Sequence, residues 1–358
     1  MRTTIKDIAN HLGISVNTVS KALNGKSQIS EKTRELVLKA AAEMDYSPNE
    51  SARALVRKEL RIAAVFPLEP HEFYQYMIEG IRKAARELAD NKCTVLEYTY
   101  SSQENSEELR DVLAQVFKQK VDALVLTCGY RFECYRNELE QFSKAEIPIL
   151  YNTIFGADLP GIVGGIRTDT VTAGRIAAEF LGMTIPPNRK KQVALLVGVK
   201  ELLVYRECVE GFYSDAEKYG IEIVGVYETF GERSLAYTVT EHLLRIYPNL
   251  SGIYVAAHNA TGVCDYLEEN QRQDPLIVIG HDLYPALNQK LRKRILAATL
   301  FQNQYEYGKD SILMMSDYLI GQRSKEDCKK RIVPQLVFSS MVDSFPYYDR
   351  KPEFIVGK

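Results

Sequence analysis

From Arg61 onward, apolar runs of strand length alternate with stretches of helical periodicity. Ile62–Phe66 precedes a helical pattern over about 72–91, Thr94–Tyr98 one over 105–119, and Ala123–Leu126 one over 132–144, with Pro148–Tyr151 next. The alternation resumes with Ile162–Ile166, Val193–Val197, Ile221–Tyr227, Gly252–Ala256, Leu276–Ile279 and Leu296–Phe301. A strand that is apolar at nearly every position, not every second one, is buried on both faces. Strands of that kind separated by helices fold into parallel sheets covered by helices on either side. About a dozen such strands exceed one comfortable sheet, so the fold class is α/β with two lobes.

The first 46 residues have a different texture, with no strand-like run. Thr4 with Asp7 three residues later reads as a capping box before a helix that Gly13 ends. Ser15 caps a second helix, from Val16 to about Leu23, which Asn24-Gly25 stops. Ser30 caps a third, from Glu31 to about Met44. Pro48 then disfavours helix at Ser47, and a short helical stretch follows from Asn49 to about Lys58.

The charge divides the same way. Residues 1–58 carry ten Lys/Arg against six acids, a net +4, whereas the whole chain is −2, so the remainder is −6. That asymmetry suggests a basic module on a mildly acidic body. No run approaches the ~18 consecutive apolar residues of a membrane helix, and no apolar run follows the N-terminal charges as in a secretory leader. A cytoplasmic protein with no membrane partner is expected. The six cysteines form no Cys-x-x-Cys pair and sit near no histidine cluster, so free thiols and no metal site are expected. Gly25-Lys26-Ser27 is no P-loop, because Ser20 stands where a glycine is needed, and the glycines at 161, 164 and 165 lack dinucleotide spacing. No catalytic constellation emerges, so neither an enzyme nor a cofactor is expected.

Residues 5–23 have helix-turn-helix mechanics. Ile5, Ile8 and Leu12 form one apolar stripe, and Val19, Ala22 and Leu23 another. Ala9 is small where the helices cross, and Gly13 permits the tight turn. The second helix keeps Val16, Asn17, Thr18, Ser20 and Lys21 outward, as a helix entering a major groove requires. The segments 4–9, 13–15, 18–24, 29–34, 46–49 and 52–55 together strongly resemble the lac/galactose repressor family. The resemblance implies that Val16, Asn17 and Lys21 read bases. It implies that Thr4, Ser15, Asn24, Ser30 and Thr33 meet phosphates, and that Thr18 lies at the same interface. It implies a hinge helix over Asn49–Leu55, with Ala52 and Arg53 on minor-groove DNA and Leu55 wedged into a base step.

The remainder resembles the type I periplasmic-binding-protein fold, as in ribose-binding proteins and the effector domains of this repressor family. The anchors are Glu72-Phe73-Tyr74, Ile147-Pro148-Ile149, Ala173-Gly174-Arg175, Glu210-Gly211-Phe212, Ile279-Gly280-His281-Asp282 and 298–308. The resemblance implies a head at 1–46, a hinge at 47–60, a two-lobed effector domain at 61–345 and a tail at 346–358. The first lobe takes about 61–167 and 303–322, the second about 168–302 and 331–345. Ligand would lie between the lobes at the strands' C-terminal ends. His71, Phe73 and Tyr74 would form one wall. Arg206, Phe230, Asn259 (or His258), Asp282 and Gln302 would form the other, with Thr153 where ribose binders carry a charged pair. Aromatic rings against planar hydrogen-bonding groups suit a monosaccharide or derivative. A purine or another small polar metabolite, and a transport protein in place of a regulator, stay open. Because one helix-turn-helix reads a half-site, the expected partners are pseudo-palindromic double-stranded operator DNA and a second copy in a homodimer.

Overall fold

The computed structural model describes residues 3–23, 29–44, 46, 59–69, 71–102, 105–128, 132–152, 159–270, 274 and 276–350. The chain divides into two compact units, a head made of the first 59 residues with Ala89–Lys92 grouped to it, and a body of Leu60–Leu88 and Cys93 onward.

In the head, α1 (Ile5–Leu12), α2 (Val16–Leu23) and α3 (Glu31–Glu43) enclose a small core of Ile8, Ala9, Val19, Ala22, Val37, Ala40 and Ala41. Local chemistry sets the helix ends. Thr4 Oγ1 accepts from Asp7 N–H while the Thr4 N–H donates back to the Asp7 carboxylate at 2.8 Å. Gly13 takes the left-handed conformation (φ 64°) that a Cβ would strain. Ser15 Oγ accepts from Thr18 N–H at 3.0 Å, and Ser30 Oγ from Thr33 N–H at 3.3 Å. Each expected start is therefore a side-chain cap on a first-turn N–H group.

The body holds two six-stranded sheets. The first contains β1 (Leu60–Glu69), β2 (Cys93–Ser102), β3 (Ala123–Thr127), β4 (Ile149–Asn152), β5 (Ile162–Thr168) and β11 (Lys329–Ile332), ordered β11-β5-β4-β3-β1-β2. The second contains β6 (Gln192–Val197), β7 (Glu222–Glu228), β8 (Gly252–Val255), β9 (Ile277–His281), β10 (Ala298–Phe301) and β12 (Gln335–Val337), ordered β12-β10-β9-β8-β6-β7. The ladders are parallel except β12, which runs antiparallel to β10. Both faces of each sheet are buried. On β1, Ile62, Ala64 and Phe66 join one core while Ala63 and Val65 join another. On β8, Ile253 and Val255 face one way and Tyr254 the other.

The connecting helices are α4 (His71–Ala89), α5 (Ser106–Lys118), α6 (Arg136–Lys144), α7 (Thr170–Thr184), α8 (Leu203–Ala216), α9 (Arg233–Ile246), α10 (Ala260–Glu269), α11 (Pro285–Arg292) and α12 (Gln304–Leu319). The chain passes between lobes after β5, after β10 and between β11 and β12. The first sheet thus claims Lys329–Ile332, so the last crossing falls at 333–334, not before 331. One close approach positions the site. A Cβ on Gly174 of α7 would sit 2.0 Å from the Cys208 carbonyl oxygen, and one on Gly211 of α8 would sit 2.0 Å from that of Val171. Only glycines let α7 and α8 lie this close, and α8 forms a wall of the cleft.

The expected tail is partly folded in. Tyr348 is buried, its ring 4.6 Å from that of Tyr76 on α4. Its carbonyl accepts from Asn288 Nδ2 of α11 at 3.0 Å, and its hydroxyl donates to Asn303 Oδ1 at 3.1 Å. Arg292 of α11 pairs with Asp349 at 2.8 Å. Pro346–Asp349 therefore ties helices of both lobes to the second crossing.

Candidate functional site

Between the lobes, at the C-terminal ends of the strands, lies a cleft of two adjoining chambers. The inner one, of about 110 Å³, is lined on the first-lobe side by Phe73 and Tyr74 of α4, Arg167 at the end of β5, and Tyr307 of α12. Phe73 meets Tyr74 edge-on at 5.0 Å and Tyr307 at 6.4 Å, while the Tyr307 hydroxyl donates to the Ile166 carbonyl at 2.6 Å. That wall is aromatic and held rigid from behind.

The opposite wall is polar. Asp282 follows β9, only 3% exposed, with its backbone in the left-handed region (φ 72°). Its N–H donates to the Leu300 carbonyl at 2.9 Å and its carbonyl accepts from Thr299 Oγ1 at 2.8 Å, so the adjacent strand over-determines the strained turn. Asp282 Oδ1 accepts from Gln302 Nε2 at 2.9 Å and from Gln304 Nε2 at 2.6 Å. Burial pushes its carboxyl up to about 7, against the lowering pull of the Gln302 amide. Beside it His281 pairs with the Tyr254 hydroxyl at 2.8 Å, and burial pulls the imidazole down to about 4. Burial also raises the Cys208 thiol to about 12, the opposite of what a thiolate nucleophile requires. Arg167 of the first-lobe wall pairs with Glu207 of α8 on the opposite one, which also accepts from the Thr170 hydroxyl, so the arginine's charge is matched between the lobes.

The outer chamber, of about 230 Å³, shares Val204, Tyr205 and His258 with the inner one and adds Glu69, Gly198, Phe230, Gly231 and Glu232. Phe230 is 59% exposed and sits at φ 47°, followed by Gly231 at φ 74°.

Of the expected ligand residues, Phe73, Tyr74, Asp282 and Gln302 meet in the inner chamber and Phe230 lies in the outer one. Arg206 lines neither chamber and is exposed. The helical period explains this: Val204, Tyr205 and Cys208 share the cleft face of α8, and Arg206 falls about 200° around from Val204. Of the two alternatives after β8, His258 lines the cleft. Asn259 is buried beneath it, its Nδ2 donating to the Glu232 carbonyl at 3.0 Å and bracing the outer turn. Thr153 and the His71 side chain lie outside the described residues.

On the head, α2 presents Val16, 44% exposed, and Asn17 outward at its N-terminus, with Lys21 half-buried one turn on. Thr4, Ser15 and Ser30 are exposed at three helix N-termini, while Thr18 and Thr33 are half-buried. Exposed N-termini with hydroxyl caps are favourable places for anions. Asn24, Asn49, Ala52, Arg53 and Leu55, and with them the hinge helix, lie outside the described residues.

A family model described as bacterial regulatory proteins, lacI family, matches residues 4–49, and one described as periplasmic binding protein domain matches residues 62–323. The chain belongs to the lacI family, with a periplasmic binding protein domain as its body. It resembles the HTH-type transcriptional regulator MalR of Streptococcus pneumoniae at 26% identity over 341 residues, 93% of this chain and 98% of that protein. It resembles the ribose operon repressor of Bacillus subtilis at 25% identity, over 87% of this chain and 90% of that one. Among solved structures, GanP, a glucose-galactose binding protein from Geobacillus stearothermophilus, superposes with a TM-score of 0.69 at 23% identity, covering 79% of this chain and 99% of that one. A solute binding protein from Agrobacterium vitis bound with alpha-D-tagatopyranose gives 0.71 at 19%, covering 81% and 98%. At these identities the solved structures show the fold alone.

The cleft of this lacI-family chain also holds groups that sequence reasoning missed: Arg167, Thr170, Tyr205, Cys208, His281 and Tyr307. Arg167 had a usable signal, because it ends a parallel strand on the side where open α/β sheets bind ligands. Tyr205 and Cys208 had a weaker one, the helical spacing from Val204.

Proposed function

We propose that this regulator represses transcription from a pseudo-palindromic operator as a homodimer in the bacterial cytoplasm, and that a small sugar in the interlobe cleft controls its operator affinity. The observation that carries the sugar reading is the buried carboxylate of Asp282, gripped by two glutamine amides opposite the Phe73–Tyr74 wall. Planar polar groups satisfy adjacent hydroxyls, and rings cover the C–H faces of a pyranose. Relatives named ribose and sucrose operon repressors support that class. The role is binding, not catalysis: the relatives are regulators, and the cleft's one thiol is held protonated.

Val16, Asn17 and Lys21 would read base edges, with the capping hydroxyls on phosphates. Two heads on one dimer axis would read two half-sites. A sugar that prefers one lobe arrangement shifts the equilibrium by its differential affinity and no more. Fluorescence anisotropy of the full chain on a palindromic operator, with and without a panel of sugars and purines, tests the reading. A sugar should change operator affinity at least about 5-fold, the lower range of allosteric coupling. A response to purines alone overturns the sugar assignment, and a stable monomer on operator DNA by light scattering overturns the dimer.

A further inference from the structure

The inner chamber alone, at about 110 Å³, falls well short of the roughly 300–1,000 Å³ typical of ligand pockets; joined to the outer chamber's 230 Å³ it reaches that range. The two are contiguous, because Val204, Tyr205 and His258 wall both. They are also built differently. The inner chamber carries the buried amide-gripped carboxylate. The outer one carries a phenyl ring displayed to solvent by a strained turn.

That turn is a specific construction. Phe230 is a non-glycine residue at positive φ (47°), a conformation that L side chains rarely adopt. It is locked there because its N–H donates to the Gly198 carbonyl and the Thr229 hydroxyl donates to the Val197 carbonyl at 2.8 Å. Gly231 allows the turn to press on His258, since a Cβ there would sit 2.7 Å from the imidazole Cε1. Strain maintained to hold a large apolar ring in water points to a ligand that covers the ring. The charge inventory narrows the ligand further. Glu69 and Glu232 line the same chamber as the ring, and the one Lys or Arg among the described lining residues, Arg167, is matched by Glu207.

We propose that the effector is an uncharged two-ring sugar, one ring held at Asp282 and Gln302 and the second stacked on Phe230, and that phosphorylated sugars are disfavoured. This rests on the sugar reading above. Isothermal titration calorimetry on the full chain tests it with maltose, sucrose, lactose, cellobiose, trehalose and melibiose, their constituent monosaccharides, and glucose 6-phosphate. At least one disaccharide should bind 10-fold or more tightly than either constituent. Phe230→Ala should collapse that ratio toward one, whereas Phe230→Tyr, which keeps the ring, should preserve it. Monosaccharides binding as tightly as every disaccharide, glucose 6-phosphate binding tighter than glucose, or an unchanged ratio in Phe230→Ala each overturn the two-ring assignment alone. Binding of no carbohydrate at all overturns the sugar reading and this proposal with it.

Discussion

The head and the cleft present their polar groups in opposite ways. The head closes seven small aliphatic residues inside three helices and leaves its working side chains in water, on helix ends and along one face of α2. The cleft buries its working groups: Asp282 and His281 are each 3% exposed, and burial sets the protonation of both. A group in water can be removed at little cost to the fold. A buried group takes part in ligand chemistry and in folding stability together. Changes in the cleft should therefore act on two properties, and changes on the head's surface on one.

The largest expected effect is at Asp282. Asp282→Ala removes the acceptor that the two amides hold, and should abolish the response of operator affinity to sugar. Operator affinity without sugar should stay within about 2-fold, since no head residue is touched. Anisotropy titrations with and without sugar read both. If operator binding vanished in a protein with an unchanged melting transition, cleft and head would not be separable.

Next in size is the proton balance of the cleft. Burial holds His281 at about 4, below its ordinary 6.5, and Asp282 at about 7, above its ordinary 3.8. Between pH 4 and 6.5 the folded chain carries one proton on Asp282 and the unfolded chain one on His281. The two states bind equal numbers, so the pair contributes no pH dependence there. Single variants split the balance. His281→Gln leaves a group with a raised pKa, so stability should fall as pH rises from 4 towards 7. Asp282→Asn leaves one with a lowered pKa, so stability should rise from pH 4 to 6.5. Each slope should approach ~1.4 kcal/mol per pH unit. Urea denaturation across that range measures them, and slopes of the same sign in both variants would refute the pairing.

The same contrast governs what could be read from residue order. The head's helix starts were legible because each is a local event: a hydroxyl three residues before the N–H it caps. Asp282 and Gln302, which the resemblance implied, both follow strands on the side where open α/β sheets bind ligands and line the inner chamber. Arg206, which the resemblance implied, lies on α8, where helix phase turns it out of the cleft. β11 escaped notice because Lys329-Lys330-Arg331 lacks an apolar signature; a charged edge strand needs none, having one covered neighbour and open solvent beside it. The Tyr348 clasp was invisible for a third reason. Its partners, Tyr76, Asn288 and Asn303, lie between 45 and 272 residues away, and only the closed fold brings them together.

At Lys21 on the head the effect should be smaller and confined to DNA. Lys21→Ala should cost about 1–3 kcal/mol at one base position of the operator while leaving other positions unchanged, if it reads a base edge. Binding to a set of single-substitution operators measures this. Uniform weakening on every sequence, with the salt slope reduced by about one, would place Lys21 on a phosphate instead.

The smallest effect expected is at Ser30, and it is the sharpest test of how local the head is. Its Oγ accepts from Thr33 N–H and shares a 2.8 Å hydrogen bond with the Thr33 hydroxyl at the start of α3. Ser30→Ala removes the cap and should lower head stability by about 1 kcal/mol. Because serine carries no charge, its loss releases no counterion, so any weakening of operator binding should leave the salt slope unchanged. Thermal melting and salt titration of the same variant separate the two roles. A lost cap lowers the melting temperature with or without DNA, whereas a lost phosphate contact acts on the complex alone. An altered salt slope would mean that the cap positions a cation elsewhere on the DNA-facing surface, and the head would then be less local than its three-helix core implies.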